Sequence, residues 1–180
     1  MLKKQITALN RILNWERFYR EDKPCGVHPA GDKYVITEGH IAILLRDKPD
    51  GFPEADRQDD IYKAIQNDRE YGDHVLAFSV TADRIKEWKR LSKPWEEGKT
   101  HKTGAVPVEI TAQCEDGSTV SGFFNPLLLA DAAEAVGIGC MVYIGYNTRW
   151  NSHWPTLFVY PKNWMGTDPE IIGFVLPIRM

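Results

Sequence analysis

The stretch VPVEITAQCEDGSTVSGFFNPLLLADAAEAVG, residues 106–137, decides the fold class of this chain. Val106, Val108, Ile110 and Ala112 recur at every second position, which is the period-two pattern of a half-buried β-strand. Asp116 and Gly117 then supply the positive φ angles of a tight turn, so the following apolar run is expected to fold back on the first strand. The first half of the stretch therefore predicts a β-hairpin.

The second half of the stretch predicts a short helix. Asn125 is a preferred N-cap residue, and Pro126 fits the first helical position, where a missing backbone N–H costs nothing. Apolar residues then recur along one side, and Gly137 favours the end of the helix. A hairpin that leads into a short helix indicates an α+β fold, and we expect antiparallel-rich sheets with short helices packed on one face.

Outside this stretch, the same two periodicities predict the remaining elements. Two prolines and no periodic apolar pattern mark residues 47–60 as a surface loop, and residues 24–31 contain further Pro and Gly residues that break regular structure. Amphipathic helices are expected over residues 2–19, 60–69 and 82–93, and strands over residues 33–37, 40–45, 74–80, 141–146, 156–160 and 171–178.

The composition is that of an ordinary globular protein. With 180 residues, of which 43% are hydrophobic and 26% charged, the chain can bury a core as one domain or as a domain and a half. A formal net charge of -3 excludes a uniformly basic nucleic-acid binder but allows a local basic face. No apolar run approaches the roughly 20 residues of a membrane span, so we expect a cytoplasmic protein without a membrane partner.

Motifs that carry chemistry are scarce. The three cysteines, Cys25, Cys114 and Cys140, have no CxxC spacing, which favours buried thiols over a disulfide or a metal site. Catalytic and nucleotide-binding signatures such as GxSxG or a Walker loop are absent from the sequence, and we expect no enzyme, no cofactor and no metal. His153, beside Trp154, is the one histidine worth testing as a ligand or an acid-base group. An enzyme whose site assembles from distant residues stays an alternative.

Four segments resemble, in the same order along the chain, the bacterial DNA polymerase III sliding clamp (beta subunit) family. FFNPLLLADAAEAVG, residues 123–137, resembles a clamp segment with the pattern "GFN" followed by "YLLDALKAL", and VLPIRM, residues 175–180, resembles the clamp ending "VMPMRL". VITEGHIA, residues 35–42, is similar to "ATDGHRLA", and VLAFSVTADRIKEWKRL, residues 75–91, stands where a clamp has a strand leading into a helix. The chain thus looks like a short or reduced relative of that family.

The resemblance implies a DNA-clamp-like fold with helices on one face of curved sheets. Residues 1–105 would be a clamp-like N-terminal part with a polar insertion and residues 106–180 a clamp-like C-terminal half, or the two would form one continuous domain. The implied function is non-catalytic: processivity in DNA replication or repair, with peptides of polymerase or repair proteins as partners. Double-stranded DNA and further copies of the chain, as a homo-oligomer, are the other candidate partners.

Two sets of site residues follow from the resemblance. A groove for the partner peptide is expected between two segments: Thr37, Gly39, His40 and Ile41 on one side, and Val175, Leu176, Pro177, Ile178, Arg179 and Met180 on the other. Phosphate contacts are expected from the basic side of the helix over residues 82–93: Arg84, Lys86, Lys89 and Arg90. The helix over residues 127–136 carries Asp131 and Glu134 without Lys or Arg, so that helix is expected to repel a phosphate backbone.

An alternative function does not involve DNA. The loops between Trp150 and Trp164 are rich in tryptophan, and exposed aromatic rings can stack on a sugar. A non-catalytic recognition module that binds a sugar or protein ligand through these loops is therefore the competing hypothesis. Tryptophans that pack over a sheet edge would give the same sequence pattern.

Overall fold

The computed structural model describes residues 1–19, 26–55, 73–147, 152–165 and 168–178, and the helix expected over residues 60–69 lies outside them. The described helices are α1 (Lys3–Tyr19), α2 (Ala82–Glu96) and α3 (Pro126–Val136), with a short 3-10 turn at His101–Thr103. The strands are β1 (His28–Ala30), β2 (Lys33–Thr37), β3 (Ile41–Leu45), β4 (Asp73–Ser79), β5 (Val108–Gln113), β6 (Thr119–Phe124), β7 (Met141–Asn147), β8 (Ser152–Tyr160) and β9 (Ile171–Val175).

The strands form one seven-stranded sheet and a separate hairpin. The sheet order is β1-β2-β3-β9-β8-β7-β4, every pair in it is antiparallel, and β5 pairs with β6 alone. Strands from both sides of residue 105 share this sheet: β9, β8 and β7 lie between β3 and β4, with β3 paired to β9 and β4 to β7. The expected α+β class with antiparallel sheets is confirmed.

The hairpin and helix predicted from residues 106–137 are both present. Gly117 has φ +83°, and the Asp116 carboxylate accepts a hydrogen bond from the Ser118 backbone N–H at 2.9 Å, which closes the turn between β5 and β6. The Asn125 side chain accepts from the Leu127 N–H, and Pro126 occupies the start of α3. Short-range signals thus account for the turn of the hairpin and for the start of α3.

The three helices form a layer over one face of the sheet, with α3 in the middle. α3 packs on β9 and β3 and lies between α1 and α2. It approaches β9 closely at Gly173, where a Cβ would lie 3.4 Å from Ala132 Cβ. All of α3 except Glu134 is buried, because this helix is covered by the sheet below and by a helix on either side.

Aromatic side chains fill the opposite face of the sheet. Phe158 and Phe174 meet edge to face with ring centroids 5.2 Å apart, and Trp164 stacks on Tyr160 at 4.2 Å. His74 lies 4.0 Å from Phe158, over the space that Gly145 leaves on β7. Both faces of the central strands are thus buried, which explains why β3 and β9 contain only buried residues.

Several element boundaries differ from the sequence prediction. β1 falls in the segment expected to be a loop, and α2 continues past Pro94 to Glu96. β8 begins at Ser152, so His153 and Trp154 belong to a strand and not to a loop. β9 ends at Val175, and residues 176–178 continue without strand pairing. No helix in the described part of the chain is long and apolar enough to cross a bilayer.

Candidate functional site

The turn between β2 and β3 is closed by its own side chains. Thr37 Oγ1 donates to the Ile41 carbonyl at 2.7 Å and accepts from the Gly39 N–H at 3.0 Å. The Glu38 carboxylate accepts from the backbone N–H groups of His40 and Ile41 at 2.8 and 3.1 Å. Gly39 supplies the positive φ of +103° that this turn requires. The turn is therefore rigid, and it presents His40 to solvent.

The C-terminal segment joins this turn directly. The Leu176 N–H donates to the His40 carbonyl at 2.8 Å, one step beyond the β3–β9 pair Ile41–Val175. Two residues later the Ile178 N–H donates to the Phe123 carbonyl at 2.7 Å, so the segment crosses from the sheet to β6. Residues 39–40 and 176–178 thus form one continuous surface.

The residues predicted for a peptide groove divide into buried and accessible ones. Thr37, Ile41 and Val175 are fully buried in the core and present no surface to a ligand. The side chain of His40 is 72% exposed, and Gly39, Leu176, Pro177 and Ile178 are half-buried. Arg179 and Met180 lie outside the described residues. Any bound molecule would contact the accessible set, while the buried set holds the two segments together.

His40 has an electrostatic partner within the turn. Its Nδ1 lies 3.5 Å from Oε2 of Glu38, whose side chain is buried. The hydrogen bond to Glu38, together with the charge of that carboxylate, raises the pKa of His40. His40 therefore keeps its positive charge to a higher pH than an isolated histidine, next to the half-buried apolar residues of the C-terminal segment.

The four cations predicted to contact phosphate all lie on α2, in different environments. Arg84 lies over the Phe78 ring, 3.9 Å from its centroid, and Lys86 pairs with Asp83 at 2.9 Å. Lys89 reaches α3 and pairs with Glu134 at 2.6 Å. Arg90 is exposed and makes no ion pair with the described residues.

A charge network that the sequence analysis missed links the three helices. Arg11 of α1 donates to Asp131 Oδ1 at 2.7 Å and to Glu134 Oε2 at 2.6 Å, and Lys89 of α2 binds the other oxygen of Glu134. Both carboxylates of α3 are thus neutralised by neighbouring helices. The expectation that α3 repels phosphate neglected these partners, because 120 residues separate Arg11 from Asp131.

Asp131 is the most unusual group of the network. It is 1% exposed, its Oδ2 has no hydrogen-bond partner, and burial raises its pKa to about 6 although Arg11 opposes this. Glu134, which both cations bind, has a lowered pKa. An acidic residue flanked by alanines in an apolar helix was the available sequence signal, since a buried carboxylate needs a cationic partner.

Of the tryptophans in the loops between Trp150 and Trp164, the structure describes the side chain of Trp164 alone. Trp164 stacks on Tyr160 and meets Tyr143 edge to face, so its ring belongs to the aromatic face of the sheet. Trp150 lies outside the described residues, as do the side chains of His153 and Trp154 on β8. No group of three His, Cys, Asp or Glu side chains in the described ranges is arranged to hold a metal ion.

No family model matches the chain, and comparisons with curated proteins and with solved structures find no match either.

Proposed function

We propose that the protein is a non-catalytic binding protein of the sliding-clamp type, in which the β2–β3 turn and the C-terminal segment together hold a short partner peptide. The observation that carries the proposal is the 2.8 Å hydrogen bond from the Leu176 N–H to the His40 carbonyl. Two segments that each resemble a clamp motif, and that lie about 130 residues apart in the sequence, meet through this bond.

The chemistry of the accessible surface suits an extended apolar peptide. Leu176, Pro177 and Ile178 are half-buried, so each can gain further burial when a ligand covers it. The backbone here is already fixed by the bonds of Leu176 and Ile178, which lowers the entropy lost on binding. His40, charged over a wider pH range through Glu38, adds a polar contact that favours an acidic group in the peptide.

Titration of a fluorescent clamp-binding peptide onto the parent protein tests the proposal. Leu176→Ala and Ile178→Ala are expected to weaken binding by about 1 to 3 kcal/mol, roughly tenfold to a hundredfold. Val106→Ala is the matched control, because Val106 is an exposed aliphatic residue outside this surface. Equal affinity in all four proteins, or no binding to the parent, would contradict the proposed peptide site.

Contact between the helix layer and duplex DNA is a second candidate function, favoured by the local charge. α1, α2 and α3 together contain nine Lys and Arg against six Asp and Glu, in a chain of net charge -3. The two carboxylates of α3 are bound by Arg11 and Lys89, so they repel phosphate less than free carboxylates would. The exposed Arg90 and Lys93 of α2, which are not bound to these carboxylates, are the available non-specific phosphate contacts.

A gel shift with duplex DNA at increasing salt tests this candidate. Arg90→Ala and Lys93→Ala should weaken binding and reduce its salt dependence, because fewer counterions are released when the protein makes fewer phosphate contacts. Lys102→Ala, an exposed cation outside the helix layer, is the control. Lys89→Ala is less informative, since it also frees Glu134. Binding that is absent at low salt would remove DNA as a partner.

A further inference from the structure

One end of the helix layer brings together three segments that are distant in sequence. Gln5 of α1 donates from its side-chain amide to the carbonyls of Ala135 and Val136 at 3.1 and 3.2 Å, so α1 begins where α3 ends. The connection that follows α3 also approaches the loop after β8, since a Cβ at Gly139 would lie 3.7 Å from Lys162 Cδ. These contacts place the start of α1, residues 137–139 and Lys162 around one end of the molecule.

Aliphatic side chains are exposed at this end. Leu2 is 72% exposed, Ile6 39% and Ile138 60%. Ile138 stands between two glycines of positive φ, Gly137 at +122° and Gly139 at +85°, a backbone conformation that β-branched residues avoid. The glycines thus allow a sharp turn that presents an isoleucine to solvent. Leu2, Ile6 and Ile138, with the nearby Lys3, Lys4 and Lys162, are called the Ile138 surface below.

The charged residues within these three segments are all positive. The start of α2, which the hydrogen bond from the Gly139 N–H to the Val80 carbonyl places beside Ile138, carries Asp83, and that carboxylate pairs with Lys86 at 2.9 Å. Lys3, Lys4 and Lys162 are exposed and form no ion pair within the described part of the chain. Residues 1–15, 135–147 and 155–165 contain no Asp or Glu, although the whole chain has 25. Lys86 and Lys48 lie beside carboxylates, whereas Lys93 and Lys102, like the lysines at this end, make no ion pair in the described part of the chain. The Ile138 surface therefore combines exposed aliphatic groups with three exposed lysines that make no ion pair among the described residues.

We propose that the Ile138 surface binds the anionic surface of a lipid bilayer. Its aliphatic side chains project from separate elements, and a fluid bilayer interface can accept each of them at the level of the headgroups. The flanking lysines can lie beside lipid phosphates while their methylene stems stay in the apolar boundary. The phosphates of duplex DNA would pair with the lysines but would leave Leu2, Ile6 and Ile138 in water. Positive charge and exposed apolar side chains together therefore favour anionic lipid.

This proposal differs from the expectation of no membrane partner. That expectation was based on the lack of a long apolar run, which is the requirement for crossing a bilayer. Contact with one surface needs only a few inserted side chains and neighbouring cations, and it is reversible. Such binding would bring the protein to the membrane without fixing it there.

Co-sedimentation of the untagged full chain with vesicles tests the proposal. One vesicle preparation contains equal parts of phosphatidylglycerol and phosphatidylcholine, and the other contains phosphatidylcholine alone. We expect binding to the first that weakens with salt, and at least tenfold weaker binding to the second. The double variant Lys3→Gln/Lys4→Gln should lower affinity for the anionic vesicles by about 25-fold, about fivefold for each charge.

The position of Ile138 is tested by Ile138→Asp, which removes an apolar side chain and adds a negative charge, and which should weaken binding to anionic vesicles by about tenfold or more. Val106→Asp is its control, because Val106 has the same 60% exposure and lies elsewhere. Lys93→Gln/Lys102→Gln is the control for the lysine pair, and unchanged thermal melting would show that the variants fold.

Equal effects of Ile138→Asp and Val106→Asp on vesicle binding would overturn the proposal. Vesicle binding that is absent, with duplex DNA binding that depends on Lys3 and Lys4, would also overturn it and assign the lysines to phosphate in DNA.

Discussion

Arg11 Nε lies 2.7 Å from Oδ1 of Asp131, and this contact joins the two helices α1 and α3 through a carboxylate that has almost no access to water. A terminal nitrogen of the same guanidinium reaches Glu134, which Lys89 binds from α2. One arginine and one lysine thus connect all three helices at the level of a single turn of α3. Because the acid at the centre is buried, the strength of this connection depends on its protonation.

Asp131→Asn should change how stability depends on pH. The folded-state pKa of Asp131, about 6, lies above the ordinary value of 3.8, so between these two values the folded protein holds a proton that the unfolded chain releases. The contribution that the raised pKa of Asp131 makes to the free energy of unfolding is fully present below pH 3.8 and is lost as pH rises through about 6. Relative to Asp131→Asn, the parent should therefore lose on the order of 3 kcal/mol across this window.

Urea denaturation of both proteins at pH values from 4 to 8 measures this difference. The two proteins must be compared with each other because Glu134 also makes stability depend on pH, in the opposite direction. Its pKa is lowered, so its contribution to the free energy of unfolding is present at high pH and is lost as pH falls. Glu134 is retained in both proteins, so most of its effect cancels. Parallel curves of unfolding free energy against pH would show that Asp131 titrates at its ordinary value.

Arg11→Met should destabilise the protein by about 2 to 4 kcal/mol near pH 7, because it leaves the Asp131 carboxylate buried without a cation. Most of the loss should be recovered in Arg11→Met/Asp131→Asn, since the second change removes the unpaired charge. Lys86→Met breaks an exposed pair with Asp83 and should cost less than about 1 kcal/mol. A double variant as unstable as Arg11→Met alone would mean that Arg11 acts through packing and not through charge.

Gly145→Ala should destabilise the sheet by about 1 to 3 kcal/mol. The added Cβ would meet ring atoms of the fully buried Phe158 and would lie 3.0 Å from His74 Cδ2, on the aromatic face of the sheet. Gly173→Ala is the matched control, because its nearest contact would be 3.2 Å and the cost should be smaller. Chemical denaturation of both variants checks the order, and equal costs would contradict the role given to Gly145.

Local sequence signals predicted the elements whose boundaries depend on neighbouring residues. Asp116 and Gly117 fixed the hairpin, and Asn125 with Pro126 fixed the start of α3, because turns and caps are made by side chains within a few residues. β1 escaped prediction because its sequence contains a proline. Pro29 is tolerated there since β1 is an edge strand and needs partners on only one side.

Long-range relationships could not be predicted in this way. The order of the seven strands and the pairing of Arg11 with Asp131 depend on which surfaces meet after folding, and no local pattern encodes them. The resemblance to clamp segments did place residues 35–42 and 175–180 together as a candidate site, and His40 and Leu176 are in contact. It could not indicate that Thr37, Ile41 and Val175 are buried, because burial depends on the packing of α3 and α1 over the sheet.

The His40 imidazole should titrate above its ordinary pKa of 6.5, because the hydrogen bond to Glu38 stabilises its charged form. Since the folded-state value is raised, the stability that this contact gives is fully present below pH 6.5 and is lost as pH rises through the folded-state pKa. NMR titration of the imidazole carbon-bound protons measures the pKa, and His40→Gln identifies the resonance.

In Glu38→Gln the pKa of His40 should fall towards 6.5, because the amide keeps an oxygen for the His40 and Ile41 N–H groups but carries no charge. Asp83→Asn, which removes a carboxylate on α2, should leave the titration unchanged. If the pKa of His40 were equal in the parent and in Glu38→Gln, the Glu38 carboxylate, 3.5 Å from Nδ1, would not stabilise the charged imidazole.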